Sequence, residues 1–164
     1  LARMLEGGDE IRFLCRRLVI LASEDVGNAD PQALPMATAC MQACEWVGLP
    51  ECEFMLSQTV AYLALAPKSN AATVAIGAAR KDVRERKILP VPPHLRDSHS
   101  STAERQGRGE GYLYSHDHPN AIATQDYLGD ERIYYQPVPR GFERELQERK
   151  SAIKKLLRGT SDEA

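Results

Sequence analysis

This sequence of 164 residues has few aromatic side chains, no large excess of positive or negative charge, and no long apolar run. Aromatic residues make up only 6%, so a hydrophobic core must be built mainly from Leu, Ala, Val, Ile and Met. The formal net charge of −2 argues against a globally basic nucleic-acid binder, and leaves only local basic patches to consider. No apolar run approaches the roughly 18 residues of a membrane-spanning helix, and the charged first residues do not form a signal peptide. We expect one domain, 1–164, and, because residue 1 is Leu1, a piece of a longer protein.

The cysteines are few and do not form a disulfide framework. Cys15, Cys40, Cys44 and Cys52 all fall within apolar helical patterns, which is typical of free thiols in a reducing cytoplasm. Cys40 and Cys44 share a helix face, but a zinc site would need two more ligands and no histidine lies near them in sequence. We expect buried thiols that act as small hydrophobic residues.

Glycine and proline interrupt the apolar periodicity of the first half and predict where its helices end. Five helices are expected, ending at Gly7-Gly8, Gly27, Gly48, Pro67 and about Lys87. Asp9, Asp30 and Ser69 are the expected N-caps, and Pro31 is expected at a first helical position. Pro35 either kinks the third helix or marks the start of its regular part. The short loops predict antiparallel neighbours in a compact bundle or array.

The composition changes sharply at Ile88. Proline recurs through 90–139 and glycine through 107–111, so few helices are expected there. The stretch 98–111 is the expected flexible loop, and a last helix is expected from about Gly141 to Leu157. Tyrosines are the expected anchors of the irregular segment, namely Tyr112, Tyr114, Tyr127, Tyr134 and Tyr135. The predicted fold class is therefore all-α, with five to six helices and a long irregular Pro/Gly-rich segment.

The triplet His116-Asp117-His118 is the clearest candidate for metal chemistry, because imidazole and carboxylate are ligands of zinc and other divalent ions. Neighbouring side chains of an extended segment point to opposite sides, so Asp117 could not readily share an ion with both histidines. Pro119 and Asn120 then give a turn signal. A turn anchored by tyrosines is the favoured interpretation.

Other sequence patterns for catalysis are missing. The Walker A pattern, the G-x-S-x-G elbow and H-E-x-x-H do not occur. Lys68, placed before a helix start, could contact an anion, but a helix-to-helix turn with a serine cap explains the same residues and is favoured. The glycines between Gly107 and Gly111 follow no predicted strand and indicate a flexible loop.

Several long stretches together resemble one protein family. They are ASEDVGNADPQAL (22–34), LPECEFMLSQTVAYLALAPKSNA (49–71), PVPPHLRD (90–97), GYLYSHDHPNA (111–121) and YLGDERIYYQPVPRGFERE (127–145). With these, nearly the whole chain is similar to the C-terminal part of the replication-associated recombination protein A family, also called MgsA. These proteins are AAA+ ATPases of the clamp-loader clade. The sequence departs from the family at His118, where an aromatic residue is usual, and at Pro35, where an ordinary helix former is usual.

The resemblance implies a helical domain, similar in role to a clamp-loader collar, that assembles the ATPase into a homotetramer. It places ATP, magnesium and all catalytic residues in a separate upstream module, so no catalytic, cofactor or metal residue is expected here. It also implies a cytoplasmic, nucleoid-associated protein that acts on DNA at stalled forks with single-stranded-DNA-binding protein. The oligomer interface is expected near 23–31 and 62–70, where the resemblance is densest. The candidate interface residues are Asp25, Asp30, Tyr62, Lys68 and Asn70.

Two further hypotheses remain open. A DNA-binding accessory domain would use basic side chains at helix ends, although acidic neighbours weaken this interpretation. Between Arg140 and Arg158, seven basic and three acidic residues give a local charge of +4, which is more typical of a solvated helix face. The candidate nucleic-acid contacts are Arg80, Lys81, Arg84, Lys154 and Lys155. The third hypothesis is a metal-dependent enzyme at His116-Asp117-His118.

Overall fold

The structure, a computed structural model, describes residues 1–86, 88–97, 105–106, 108–130 and 132–159. Six complete helices lie within these residues, which contain no strand, and this confirms the all-α prediction. The helices are α1 (Ala2–Glu6), α2 (Ile11–Leu21), α3 (Ala33–Val47), α4 (Cys52–Leu65), α5 (Ala71–Glu85) and α6 (Glu143–Gly159). None of the helices described is long and apolar enough to span a membrane.

The chain divides into two compact units. Unit 1 comprises Leu1–Ala78 and Tyr135–Glu148, and unit 2 comprises the described part of Ala79–Tyr134 and Arg149–Ala164. The assignment of the whole chain to a single domain stays a prediction.

Helices α2, α3 and α4 pack together and form the core of unit 1. Each presents one buried stripe with helical spacing, such as Leu14 and Leu18 on α2 or Leu56 and Leu63 on α4. Complete burial of a leucine side chain such as Leu56 stabilises the fold by about 1.5–3 kcal/mol. Small residues, among them the buried Ala37, let α3 approach its neighbours closely.

Most helix ends lie near the predicted positions, with local corrections at the starts. The capping prediction for Asp9 is wrong, because Glu10 precedes α2 and no side chain caps that helix. Helix α3 starts at Ala33 rather than Pro31, and the Asp30 carboxylate accepts a hydrogen bond from the Gln32 N–H at 3.0 Å. Pro35 therefore lies in the first turn of α3. Backbone N–H groups in the first turn have no intrahelical acceptor, so the N–H that proline lacks costs the helix no hydrogen bond.

The fifth helix is capped as predicted, because Ser69 Oγ accepts a hydrogen bond from the Ala71 N–H at 3.2 Å. It ends at Glu85, and Lys87 lies outside the described residues. The last helix begins at Glu143, two residues after Gly141.

Unit 2 contains irregular chain with 3-10 turns at Pro93–Leu95, Ser115–Asp117 and Pro119–Ala121. Side chains that bond to the backbone hold it: the amide of Gln125 both donates to and accepts from Leu113 at 3.0 Å, and His94 Nε2 lies 2.7 Å from the Asp126 carbonyl oxygen. Such bonds satisfy main-chain groups that a helix or sheet would otherwise pair. The predicted loop 98–111 falls largely outside the described residues.

The predicted tyrosine anchors make contacts at four of the five positions. Tyr134 donates to Asp82 at 2.9 Å within unit 2, and Tyr135 donates to Glu143 at 2.8 Å within unit 1. Tyr114 and Tyr127 are more than half exposed but make contacts within the irregular segment: the ring of Tyr114 packs against that of His116, and the Tyr127 hydroxyl accepts a hydrogen bond from Gln125 at 2.9 Å. The anchoring role of Tyr112, which is 51% exposed, stays a prediction.

Candidate functional site

Three connecting segments of unit 1 meet in what we call the loop junction, defined as 22–31, 66–70 and 135–143. The Ser69 N–H donates to the Asp25 carbonyl at 2.8 Å, and the Phe142 N–H donates to the Ala29 carbonyl at 2.8 Å. These bonds join segments that are distant in sequence, so the junction depends on the tertiary fold.

Glu143 is the centre of the loop junction and is completely buried. Its carboxylate accepts hydrogen bonds from the Ser69 hydroxyl at 2.6 Å, the Tyr135 hydroxyl at 2.8 Å and the Val138 N–H at 2.9 Å. Asn28 donates to the Tyr135 hydroxyl at 3.1 Å and extends the network. A buried carboxylate is stable only when its oxygens are satisfied in this way.

The ionisation of this network follows from its surroundings. Burial raises the pKa of Glu143, but the hydrogen bonds from Ser69, Val138 and Tyr135 lower it more, so the pKa lies below its ordinary value. Burial is the main reason that the pKa of Tyr135 is raised, and Glu143 adds to this effect. Glu143 is therefore the ionised acceptor and Tyr135 a neutral donor at neutral pH.

Two glycines permit the close approach of the segments. Gly141 has φ of 51°, and a Cβ there would collide with the Ala29 carbonyl oxygen and lie 2.8 Å from Pro67 Cγ. Gly27 has φ of 53°, and a Cβ would lie 2.6 Å from the Ser69 carbonyl oxygen. Both positions need a left-handed backbone and lack room for a side chain, which is why glycine occupies them.

The structure brings several candidate interface residues into or beside the loop junction. Tyr62 donates to the Asp30 carboxylate at 2.6 Å, and this bond is the main reason that the pKa of Tyr62 is raised. Lys68 Nζ donates to the Leu63 carbonyl at 2.7 Å, at the end of α4 where carbonyls lack helical partners.

The remaining two candidates, Asp25 and Asn70, have exposed side chains. Asp30, Tyr62 and Lys68 thus have roles inside the subunit, whether or not they also face a second subunit. All five stay predictions as interface residues.

A larger surface lies on α3 and α4, which pack side by side. Spacings of four, seven and eleven residues place side chains on one helical stripe. Such stripes are exposed on both helices, and together we call them the α3–α4 face: Pro35, Ala39, Gln42 and Trp46 on α3, and Phe54, Gln58, Ala61 and Leu65 on α4.

The α3–α4 face is apolar and strongly exposed. Trp46 is 89% exposed, Leu65 88% and Phe54 74%. A groove of about 440 Å³ between the helices is lined by residues that include Pro35 and Gln58, and a second of about 480 Å³ extends toward Leu65. Several large apolar side chains exposed on neighbouring helices mark an interaction site more often than a solvated face.

The sequence contains a signal for this face that helix spacing alone misses. No Asp, Glu, Lys or Arg occurs in 31–44 or in 54–67, although both runs form helices with exposed sides. Solvent-facing helix surfaces normally carry charged residues. Two charge-free runs on neighbouring helices therefore indicate a surface covered in the functional state.

The candidate nucleic-acid residues lie on the parts of α5 and α6 that belong to unit 2. Arg80, Lys81 and Arg84 are exposed on α5, and Lys81 Nζ lies 3.9 Å from Glu85. Lys154 and Lys155 are exposed on α6.

The His116-Asp117-His118 stretch forms a 3-10 turn, and the ring of Tyr114 packs against that of His116 with 5.2 Å between centroids. This agrees with a turn that Tyr114 supports. Within the residues described, no three histidine, cysteine or acidic side chains are placed to share a metal ion.

All four cysteines are free and buried in unit 1, as predicted. Cys40 Sγ and Cys44 Sγ lie 3.9 Å apart. Burial raises the pKa of Cys15, and burial together with the neighbouring thiols raises that of Cys44. Cys15 and Cys44 are therefore protonated parts of the core at neutral pH.

Comparison of the sequence with known proteins shows which family it matches. The family described as "MgsA AAA+ ATPase C terminal" matches residues 1–154. The chain belongs to this family. This match confirms the resemblance noted in the stretches quoted above, which include the loop junction and α4.

The names of individual relatives agree with the assignment. The chain is 46% identical to an uncharacterized AAA domain-containing protein of Mycobacterium tuberculosis over 161 residues, which is 96% of the chain and 36% of that protein. It is 43% identical to replication-associated recombination protein A of Bacillus subtilis, over 90% of the chain and 36% of the relative. For the protein of that name in Escherichia coli, identity is 40% over 90% of the chain and 34% of the relative. The chain thus spans about a third of the length of these relatives.

Proposed function

We propose that this chain is the oligomerisation domain of a AAA+ ATPase that acts in replication-fork maintenance and recombination, and that it holds the ATPase modules in a homotetramer. Membership of the MgsA C-terminal family and the names of the relatives support the setting. The observation that carries the assembly role is the charge-free, exposed α3–α4 face. A fixed assembly would let each nucleotide site be completed at a subunit boundary.

The chemistry of such a protein would lie outside this chain. The Walker A pattern does not occur in 1–164. The glycine-rich stretch ending at Gly111 leads into extended chain and a 3-10 turn, and so does not offer the helix N-terminus of a phosphate loop. ATP and magnesium would therefore bind the ATPase module, and this chain would contribute no catalytic residue.

The proposed partners follow from the setting. A second, third and fourth copy of the chain would bind through this domain. DNA and single-stranded-DNA-binding protein would engage the complete protein, in the cytoplasm and at the nucleoid. The relatives' name, replication-associated recombination protein A, supports this setting.

The solution mass of the chain tests the assembly role. Light scattering across a range of concentrations is expected to give a stable mass near four times 18.2 kDa. A monomer at every concentration would contradict an intrinsic assembly role. Such a result would favour a DNA-binding or partner-binding function.

DNA binding is the second candidate, and one observation favours it. Arg80 and Arg84 lie one helical turn apart on α5 and are both exposed, a spacing that suits neighbouring phosphates. If they contact phosphates, changing both to Gln should reduce the salt dependence of binding, by about 0.9 in log–log slope for each lost contact. Lys81→Gln is the matched control, because Lys81 already has Glu85 as a partner. A salt titration that gives the same slope for all three proteins would exclude these two contacts.

A further inference from the structure

Helix α4 carries an apolar pattern that is symmetric about its midpoint. Phe54 and Leu65 are the two largest exposed side chains of the stripe, and they lie at its two ends. Gln58 and Ala61 are exposed between them. Within each pair, Phe54 with Leu65 and Gln58 with Ala61, the two residues are equally far from a point between 59 and 60. Reversing the helix direction therefore exchanges the two members of each pair.

The charges that flank α4 follow the same symmetry. Glu51 precedes the helix and is exposed, and Lys68 follows it. These two residues are also equally distant from the point between 59 and 60. The Lys68 ammonium is held near that end of the helix by its bond to the Leu63 carbonyl. One end of α4 is thus acidic and the other basic.

We propose that two copies of the chain pair through α4 in an antiparallel arrangement, with a two-fold axis passing between 59 and 60. This inference rests on the proposed assembly function and specifies its contact. Phe54 of one copy lies against Leu65 of the second, and Gln58 against Ala61. At each end, Glu51 of one copy faces Lys68 of the other.

A second copy fits this face better than an unrelated partner for two physical reasons. A two-fold contact forms every side-chain pair twice, and the absence of charge from 54–67 means that no like charges meet along the stripe. Opposite charges meet at both ends, which fixes the antiparallel direction and register. A charged partner would find no complementary group along the stripe.

The middle of α4, on and beside the stripe, also suits close packing of the two helices. Ser57, Ala61 and Ala64 are small and exposed. Small residues let two helix axes approach to about 8 Å, the lower end of the usual range. Phe54 and Leu65 would then cover the two ends of the contact. Such a pair supplies one isologous interface, and a closed tetramer requires a second, different contact.

Disulfide cross-linking tests the register directly. A chain with Phe54→Cys is mixed with a differently tagged chain with Leu65→Cys, with oxidised glutathione to accept the electrons of the two thiols. The native cysteines are buried and do not compete. We expect the mixed dimer to form rapidly. Phe54→Cys alone should cross-link slowly, because the two copies of position 54 would be about 16 Å apart along the helix, well beyond disulfide reach.

A charge substitution gives an independent readout. Leu65→Glu places an unpaired carboxylate against Phe54 of the second copy, where burying a charge is costly, and is expected to reduce the mass measured by light scattering to half or less. Ile88→Glu is the matched control, since Ile88 is 72% exposed but lies in unit 2, and it should leave the mass unchanged. Circular dichroism confirms that both variants remain helical.

The outcomes separate the pairing from the proposed function. A wild-type tetramer with cross-linking no faster in the mixture than in Phe54→Cys alone overturns the α4 pairing and leaves the assembly function standing. A tetramer that survives Leu65→Glu does the same. A wild-type monomer overturns both.

Discussion

The Ser69 hydroxyl donates a hydrogen bond of 2.6 Å to Oε2 of Glu143, which lies 74 positions later in the chain. Ser69 also accepts the Ala71 N–H at the start of α5, while Glu143 is the first residue of α6. One bond therefore links the starts of two helices. It also positions the connections that approach them.

Replacing Glu143 by Ala should destabilise unit 1 by about 2–4 kcal/mol, because the buried Ser69 hydroxyl and the partly buried donors of Tyr135 and Val138 lose their acceptor. Urea unfolding followed by circular dichroism measures the change. Glu145→Ala is the matched control: it alters an exposed residue of the same first turn and should change stability by less than about 0.5 kcal/mol. Equal effects of the two substitutions would mean that the buried network contributes nothing specific.

The pH dependence of stability should carry the signature of Glu143. Its folded pKa lies below the ordinary value of 4.5, so its ionisation stabilises the fold above that pH and the contribution is lost as pH falls through the folded pKa. Glu143→Gln cannot titrate. The difference in unfolding free energy between wild type and Glu143→Gln should therefore be constant from pH 7 to 5 and shrink toward pH 3. A difference that grows on acidification would show that the folded pKa is raised instead.

Replacing Gly141 or Gly77 by alanine should change the stability of the fold in opposite directions. Gly141→Ala forces a Cβ against the Ala29 carbonyl oxygen at a left-handed backbone position, and should cost at least about 1–2 kcal/mol. Gly77 lies inside α5 with open space around its Cβ position, so Gly77→Ala should stabilise by about 0.5–1 kcal/mol. Thermal unfolding midpoints would record both. A neutral Gly141→Ala variant would argue against the close approach of these segments.

The thiols should be unreactive in the folded protein. All four are buried, and burial raises the pKa of Cys15 and Cys44. Ellman's reagent is expected to release little colour at pH 8 from the native chain and four equivalents after denaturation. Fast reaction of one thiol in native buffer would show that the α2–α3 side of unit 1 opens readily.

The sequence predicted the helices well where local signals determine their ends. Gly48 and Pro67 mark the ends of α3 and α4 because the first permits a positive φ and the second cannot continue a helix. Ser69 was predicted as a cap and is one. Asp9 has the same chemistry but does not cap α2, because the chain enters that helix through Glu10.

The role of Glu143 could not be predicted from its neighbours. A glutamate in the first turn of a basic helix is ordinarily a solvated residue that complements the helix dipole. Its donor Ser69 lies in another segment, and only the tertiary fold brings the two together. The α3–α4 face was located only in part. The interface was expected on apolar positions that do not face the core, but its segments were chosen by the density of the resemblance, and of this face they include only Leu65.

The division of unit 1 between Leu1–Ala78 and Tyr135–Glu148 has a consequence for synthesis on the ribosome. At about 5–20 residues per second, the ribosome needs roughly 4–15 seconds to make the chain from Ser69 to Glu143. During that interval α2, α3 and α4 are complete, but Ser69 awaits its acceptor. The core helices of unit 1 are therefore made well before the last segment of the loop junction, which contains Glu143, and the junction can close only after them.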